Sequence, residues 1–298
     1  MAIGKEIAVA TGEAVPAGAR TLYVVATPLG NLRDVTLRAL DVLSSVDAIA
    51  AEDTRVTAKL LARHGIRTRM LSLHEHNEAR RTREIVALLE EGRSVALVSD
   101  AGTPAVSDPG AKLVRAIGES GFAIVPVPGP SAVIAALSVS GIDAPRWLFC
   151  GFLPASAGAR ATDLEGLQAL PCALVFYEAP HRIAATLDAL AAALAPEREI
   201  VIARELTKRF ESIHRCRLAD APAWLAADSD RARGEFVLIV TPPGGGAPAQ
   251  VLEAEWDRTL DVLLPELPLA QAVRLATQLT AAPRKAIYAR ALAKRGKR

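Results

Sequence analysis

The sequence predicts an α/β protein made of two sheet-containing domains and a small helical extension. Three observations carry this. Ten short runs rich in Val, Ile and aromatic residues recur along 21–241, most of them separated by segments of helical period. The strongest runs are unbroken apolar stretches, the pattern of strands covered on both faces. They fall five and five about a turn-rich stretch, and everything after the proline- and glycine-rich 241–248 has helical period.

In chain order, the first five strands are 21–27 (TLYVVAT), 46–51 (VDAIAA), 69–73 (RMLSL), 94–99 (SVALVS) and 122–127 (FAIVPV). The second five are 147–152 (WLFCGF), 172–178 (CALVFYE), 199–204 (EIVIAR), 211–217 (ESIHRCR) and 235–241 (EFVLIVT). Within the second set, 180–194 places Ile183, Leu187, Leu190 and Leu194 at i, i+4, i+7 and i+11, with Pro180 set to open the helix. Turn chemistry in 126–146 marks the first boundary. The expected organisation is a flexible tail at 1–20, domains at 21–131 and 132–242, a linker at 243–250 and a basic helical extension at 251–298. In that extension, 268–279 puts Leu269, Ala272, Val273, Ala276 and Leu279 on one face. A turn at Pro283 follows, then 284–294 with Ile287, Tyr288 and Ala291 inward. Two short helices and a tight turn fit either a helix-turn-helix or a capping hairpin.

The 298 residues are 51% hydrophobic and 23% charged, which excludes wholesale disorder. No apolar run nears the roughly 18 residues needed to span a bilayer. Residues 1–20 lack the long apolar core of a signal peptide. Cys150, Cys172 and Cys216 are too widely spaced for a CxxC metal pair or a disulfide framework, so a reducing cytoplasm is expected. The net charge of +2 is unevenly spread. Arg284, Lys285, Arg290, Lys294, Arg295, Lys297 and Arg298 crowd the end of the chain with no acid among them, leaving the remainder net negative. An acidic body with a basic end suits a polyanionic partner as well as it suits a solubilising tail.

In doubly wound sheets, ligands gather at the carboxyl ends of the strands. Run 21–27 leads into Pro28, Leu29, Gly30 and Asn31, then a helix for which Asp34 is the expected N-cap. Run 94–99 leads into Asp100, Ala101, Gly102, Thr103 and Pro104, then Ser107-Asp-Pro-Gly110. Run 122–127 leads into Pro128, Gly129, Pro130 and Ser131 at another helix start. Glycines admit a ligand to the backbone, and Asp100 offers a carboxylate to sugar hydroxyls or an amine. Each loop alone is ordinary turn chemistry; three at one edge make a small-molecule cleft. GxGxxG and GxxxxGK[ST] are both absent, so neither NAD nor ATP is indicated.

The runs TPLGNLRDVTLRALDVL (27–43), AEDTR (51–55), LSLHEHNE (71–78), VSDAGTPAVSDPG (98–110), VPVPGPSA (125–132), GFLP (151–154), FYEAPHR (176–182) and RELTK (204–208) stand in this order. Together they resemble the tetrapyrrole-methylase superfamily over 21–242, and within it the branch that 2′-O-methylates a decoding-centre cytidine of 16S rRNA. The helical end also looks like that branch's C-terminal piece. Corrin and sirohaem methylases usually carry a GxGxG-type loop after the opening strand, where this chain has Thr27-Pro-Leu-Gly-Asn31. That difference points away from a porphyrin-like substrate. The resemblance implies S-adenosylmethionine in a cleft between two α/β domains, a homodimer, and 16S rRNA of the small ribosomal subunit as partner. Motif by motif, it implies cofactor contacts from Leu29, Gly30, Asp100, Ala101, Gly102, Thr103, Ser131 and Ala132, with Tyr177 and Arg204 closing the pocket from the second domain.

The remaining polar clusters carry less. Glu52 and Asp53 are adjacent in an extended segment and point to opposite faces, so an acid-rich helix start is the simpler account than a metal or acid–base pair. His74-Glu75-His76 lacks a third ligand at a known spacing. Eight Lys and Arg between Arg55 and Arg83 are either solvated helix faces or a second phosphate-tracking surface. A proton acceptor for a ribose hydroxyl would come from Glu178, His181, Glu205 or Lys208 at second-domain strand ends. Glu205, directly after a buried strand, is the first choice with Lys208 beside it; the competing role for Glu205 is a structural pair with Arg204 or Arg182. For the basic end, Arg284, Lys285, Arg290 and Lys294 are the candidate RNA contacts. A small-molecule methylase of the same superfamily would not need the basic end, and a non-catalytic RNA-binding module would not need the glycine-lined cleft.

Overall fold

The computed structural model describes residues 18–74, 76–244, 248–280 and 282–295. Most of the expected tail, Glu75, three linker residues, and Lys297 and Arg298 of the basic end lie outside the described residues. The chain forms two compact units: the described residues through Ala136 together with Glu205–Glu211, and Leu137–Arg204 together with the described residues from Ser212 on.

The first unit holds β1 (Thr21–Val25), β2 (Ala48–Ala51), β3 (Met70–Ser72), β4 (Val95–Val98) and β5 (Ala123–Val127). All pair in parallel, in the order β3-β2-β4-β1-β5. Parallel neighbours need crossovers, which α1 (Leu37–Ser45), α2 (Thr54–Arg63), α3 (Glu78–Glu90) and α4 (Ala111–Glu119) supply. One face of the sheet, with Val25, Ile49, Ala96 and Val98, packs with Val42 and Leu43 of α1 and Leu60 and Leu61 of α2. The other, with Leu22, Ala50, Val95 and Leu97, packs with Ile85 and Leu89 of α3 and Leu113 and Ile117 of α4. Both faces are covered, so the central strands have no polar alternation to show. Asp34 does not cap α1. It lies inside a single 3-10 turn (Leu32–Asp34) capped by Asn31, and a cap residue must itself be non-helical. Thr36, extended at φ −79° and ψ 151°, takes the role, its hydroxyl accepting the Ala39 N–H at 3.1 Å.

The second unit holds β6 (Trp147–Phe152), β7 (Ala173–Glu178), β8 (Glu199–Arg204), β9 (Ser212–Arg217) and β10 (Phe236–Val240), ordered β6-β7-β10-β8-β9. Only β6 and β7 run parallel; the other pairs are antiparallel. Its core joins Leu174, Phe176, Ile202 and Leu238 to Leu164 of α6 (Ala157–Leu167), the Ile183–Leu187–Leu190 stripe of α7 (Ile183–Ala193) and Leu225 of α8 (Ala221–Ala226). Pro180 does not open α7: it sits in a turn in which the Ala179 carbonyl accepts the N–H of Arg182 and of Ile183, and Arg182 takes the cap position. A further helix, α5 (Ala132–Ser140), precedes β6.

The C-terminal segment forms α9 (Pro248–Glu266), α10 (Leu269–Thr280) and α11 (Arg284–Arg295). Leu260, Val273, Ala276, Ala282, Ile287 and Ala291 build its small core. Two expected inward residues face solvent instead: Leu279 is 70% exposed and Tyr288 48% exposed. Ile287 and Ala291, one turn apart, occupy the inner stripe, and the next residue along a helix is rotated about 100° away from it. On a different side of α11, Arg290 grips Asp257 with both guanidinium arms, Nε to Oδ1 at 2.9 Å, and the Lys294 ammonium donates to Asp261 Oδ1 at 2.7 Å.

The Arg290 guanidinium holds the Asp257 carboxyl below the usual carboxylate range. A group depressed in the folded state adds stability above its unfolded pKa of about 4, and that contribution is lost as pH falls through the folded value. Asp257→Asn should destabilise the helical segment at neutral pH by no more than about 1 kcal/mol, since the pair is partly solvated. The gap between variant and wild type should close in melts recorded below pH 4.

Candidate active site

The strand order places the carboxyl ends of β4, β1 and β5 side by side, and with them the loops beginning at Ser99, Ala26 and Pro128. These loops are tied together by specific bonds. Thr27 and Gly102 exchange two backbone hydrogen bonds, Thr27 N–H to the Gly102 carbonyl at 2.8 Å and Gly102 N–H to the Thr27 carbonyl at 3.0 Å. The Thr27 hydroxyl donates to the Ser99 carbonyl at 3.1 Å, and the Thr103 hydroxyl to the Pro130 carbonyl at 3.0 Å. Gly102 sits at φ +79°, where a side chain is strained, and a Cβ there would lie 3.3 Å from Leu29 Cδ2. Leu29, Gly102, Thr103 and Pro130 are thus neighbours on one edge. Ser131 and Ala132 follow at the start of α5, where the Ser131 carbonyl accepts the Ala135 N–H.

Beside this edge, β2 leads into Glu52 and Asp53. The Asp53 N–H donates to Asp100 Oδ1 at 2.9 Å, and the Asp100 N–H to Glu52 Oε2 at 3.3 Å, so the loops after β2 and β4 are locked reciprocally. The two adjacent carboxylates do diverge in role. Asp53 caps α2 and is held down to about 2 by its side-chain and backbone bonds with Arg55. Burial pushes Glu52 and Asp100 up instead. Asp108 rises to about 6, through burial first and the Glu52 charge second. The same loop holds Ala105 at φ 64° and Ser107 at φ 63°, left-handed conformations that non-glycine residues keep only where the surroundings enforce them.

The 205–211 loop completes the first unit. An ideal Cβ on Gly30 would stand 2.2 Å from Lys208 Cγ, so the lysine stem lies across the bare face of that glycine. The Lys208 ammonium reaches Glu205 Oε1 at 2.9 Å. Glu205 and Thr207 both have positive φ (51° and 66°), and the Thr207 hydroxyl is buried with no hydrogen-bond partner.

Glu205 pairs with Lys208. Arg204 reaches the Asp230 carbonyl and Ser212 Oγ, and Arg182 lies 3.3 Å from Glu178 and donates to the Leu153 carbonyl. Glu178 is fully buried, accepting from the Thr186 hydroxyl and the Ala179 N–H, which removes it as a proton acceptor. Within the second unit, Tyr177 sits edge-on to Phe149 and Phe152, with ring centroids at 4.9 and 5.7 Å. His74 Nε2 meets the Asn77 amide while its Nδ1 is buried with no hydrogen-bond partner, and among the described residues no group of three or more His, Cys, Asp or Glu is arranged to hold a metal. Of the basic-end candidates, Arg284 and Lys285 are exposed, whereas Arg290 and Lys294 are ion-paired with α9. Residues that the sequence argument left out of the site are Thr27, Glu52, Asp108 and Thr207. Thr27 closes the first strand run and Asp108 lies in the SDPG turn, but neither position reveals its long-range partner.

A tetrapyrrole-methylase architecture is what these two sheets and their loops define. The family model described as tetrapyrrole (corrin/porphyrin) methylases matches residues 21–222, and a second, described as the RsmI C-terminal HTH domain, matches 250–295. Solved structures with the same fold include a cobalt precorrin-4 methyltransferase (TM-score 0.58, 17% identity, 74% of this chain and 95% of that one). Another is the uroporphyrin-III-C-methyltransferase of Thermus thermophilus (TM-score 0.55, 21% identity, 74% and 94%). Among curated relatives, the ribosomal RNA small subunit methyltransferase I of Escherichia coli O157:H7 is 46% identical, covering 92% of this chain and 96% of its own. That of Vibrio cholerae is 48% identical, covering 92% and 95%. The chain belongs to the tetrapyrrole methylase family, in the group of its ribosomal RNA small subunit methyltransferase I relatives.

Asp108 provides a pH signature. Its folded pKa is raised, so its favourable contribution is complete below the unfolded value of about 4 and is lost as pH rises through about 6. At neutral pH the half-buried carboxylate, repelled by the charges of Glu52 and Asp100, is a net cost. Asp108→Asn should raise the melting temperature by about 2–4 °C at neutral pH, and the gain should vanish below about pH 4.

Proposed function

We propose that this protein transfers a methyl group from S-adenosylmethionine to the ribose 2′-hydroxyl of a cytidine in 16S rRNA, in the decoding centre of the small ribosomal subunit. The observation that carries this reading is the extent of the match. The tetrapyrrole-modifying enzymes cover about three quarters of the chain, whereas the rRNA methyltransferase I relatives run across nine tenths of it, and the C-terminal helical segment has its own family match. That extra segment carries the basic end that a small-molecule methylase or a purely cofactor-binding domain would not require. A cytoplasmic homodimer completes the proposal.

The residues fit the cofactor. Bound S-adenosylmethionine supplies a methyl group already activated by a positively charged sulfur. Glu52, Asp100 and Asp108 crowd carboxylates that burial and mutual repulsion push up, and a cationic ligand relieves that repulsion. Leu29, Gly30, Ala101, Gly102 and Thr103 would hold it along the tied loops, and the unpartnered Thr207 hydroxyl offers one more bond. We assign further contacts to Ser131, Ala132, Tyr177 and Arg204 on the resemblance alone. A ribose hydroxyl is a weak nucleophile, so most of the acceleration comes from holding it in line, an effect worth up to roughly 7–11 kcal/mol. In this reading the Glu205 carboxylate takes the hydroxyl proton, adding about 10²–10⁴-fold. Lys208 donates to that carboxylate and fixes its position, its own stem seated on Gly30.

The deciding experiment offers radiolabelled S-adenosylmethionine with isolated small subunits or with a tetrapyrrole. Label should enter the 16S rRNA at one cytidine ribose. Transfer to the tetrapyrrole alone, or cofactor binding with no transfer to either, overturns the proposal. Gly102→Val should abolish cofactor binding in calorimetry while circular dichroism stays native, because residue 102 lies in the loop after β4 and outside the sheet. Glu205→Gln should keep cofactor affinity and lower kcat by about 10²–10⁴-fold; wild-type turnover would remove Glu205 from the chemistry.

A further inference from the structure

Charge is segregated within the C-terminal helices. From residue 267 onward the chain contains no Asp or Glu, while α9 carries Asp257, Asp261 and Glu266. The structure divides the cations of α11 into two sets. Arg290 and Lys294, one turn apart, lie on the flank facing α9 and are neutralised by Asp257 and Asp261. On another flank, Tyr288, Leu292 and Arg295 follow at i, i+4 and i+7, with Arg284 one turn before Tyr288 and Lys285 beside it, all exposed. Tyr288 and Leu292 leave 48% and 46% of their surface in solvent.

That second flank combines three cations, no acid and an aromatic ring held on a rigid helix. A protein partner that buried Tyr288 and Leu292 would have to supply acids to match Arg284, Lys285 and Arg295. A folded or single-stranded RNA supplies both halves at once, phosphates for the cations and a base face for the ring. We infer that the Arg284–Lys285–Tyr288–Arg295 flank of α11 is an RNA-docking surface on which Tyr288 stacks against an unpaired base, while Arg290 and Lys294 serve to clamp the helix rather than to grip phosphate. The inference rests on the proposed rRNA substrate and narrows it to single-stranded RNA at this flank.

Stacking and phosphate neutralisation have different signatures. Base stacking on an aromatic ring is removed by truncation at little change in salt dependence, whereas each lost phosphate contact to a single strand flattens the log–log salt slope by about 0.7. The test uses the full chain, isolated small subunits, and a 12-nucleotide single-stranded RNA beside a duplex of the same length as binding probes. Tyr288→Ala should weaken single-strand binding about 5- to 150-fold with the slope unchanged, and Tyr288→Trp should bind as wild type. Arg284→Gln with Lys285→Gln should lower the slope by about 1.4. Arg290→Gln with Lys294→Gln should lower the melting temperature and leave the slope within error.

Wild-type binding by Tyr288→Ala overturns the inference, as does full recovery with Tyr288→Leu, which would make the ring a packing element. A slope that flattens equally for both cation pairs overturns the division of labour. Subunit binding that survives ribonuclease treatment but responds to Tyr288→Ala identifies an acidic protein partner and overturns RNA docking. If wild-type protein methylates no small subunit, the proposed function fails; if it does and Tyr288→Ala is silent, only this inference fails.

Discussion

Two hydrogen bonds between Thr27 and Gly102 determine the shape of the candidate site. They weld the loop that leaves β1 to the loop that leaves β4, and they require residue 102 at positive φ, where glycine alone is at ease. Leu29 then packs over Gly102, the Thr103 hydroxyl reaches the loop after β5, and Asp100 is left at the position where Asp53 and Glu52 bond to it. Three loops that would otherwise be separate surface turns become one edge. Ordering them before a ligand arrives removes an entropic cost from binding, which is what a positioning enzyme most needs.

Much of the architecture was legible because it depends on local pattern. All ten strands appear within two residues of their expected bounds, the central ones because buried strands are runs of Val, Ile, Leu and Ala. Cap assignments were less secure. Asp34 and Thr36 are both competent N-caps, and which one serves depends on a 3-10 turn started by Asn31, a choice made by geometry and not by residue type. Tyr288 illustrates a different limit. In a two-helix pattern full of alanine the inner stripe is narrow, and an aromatic beside it is drawn inward by any hydrophobicity argument, although Ile287 and Ala291 already fill the space.

The site was legible as loops and opaque as bonds. Glycine, proline and aspartate at strand ends marked where the chain turns, and the parallel order placed those turns together. Long-range partners left no sequence signal: Gly30 with Lys208, Thr27 with Gly102 and Glu52 with Asp100 are each far apart in the chain. Arg284, Lys285, Arg290 and Lys294 are equivalent cations in sequence, yet the last two are committed to acids on α9 that precede them by about nine helical turns of sequence.

The 205–211 loop shows how strain and function meet. Glu205 and Thr207 adopt left-handed backbone with side chains that disfavour it, at a cost of order 1–3 kcal/mol each. A hairpin between β8 and β9 could be closed by glycines without that cost. What the strained path achieves is placement: it turns Glu205 toward the Lys208 ammonium, lays the lysine stem on Gly30, and buries the Thr207 hydroxyl without a protein partner. A loop selected for stability would satisfy that hydroxyl and relax that backbone. Under the proposed function, the held carboxylate and the unpartnered hydroxyl beside Gly30 are what meet the ligand, and the remainder of the fold supplies the rigidity that keeps them in place.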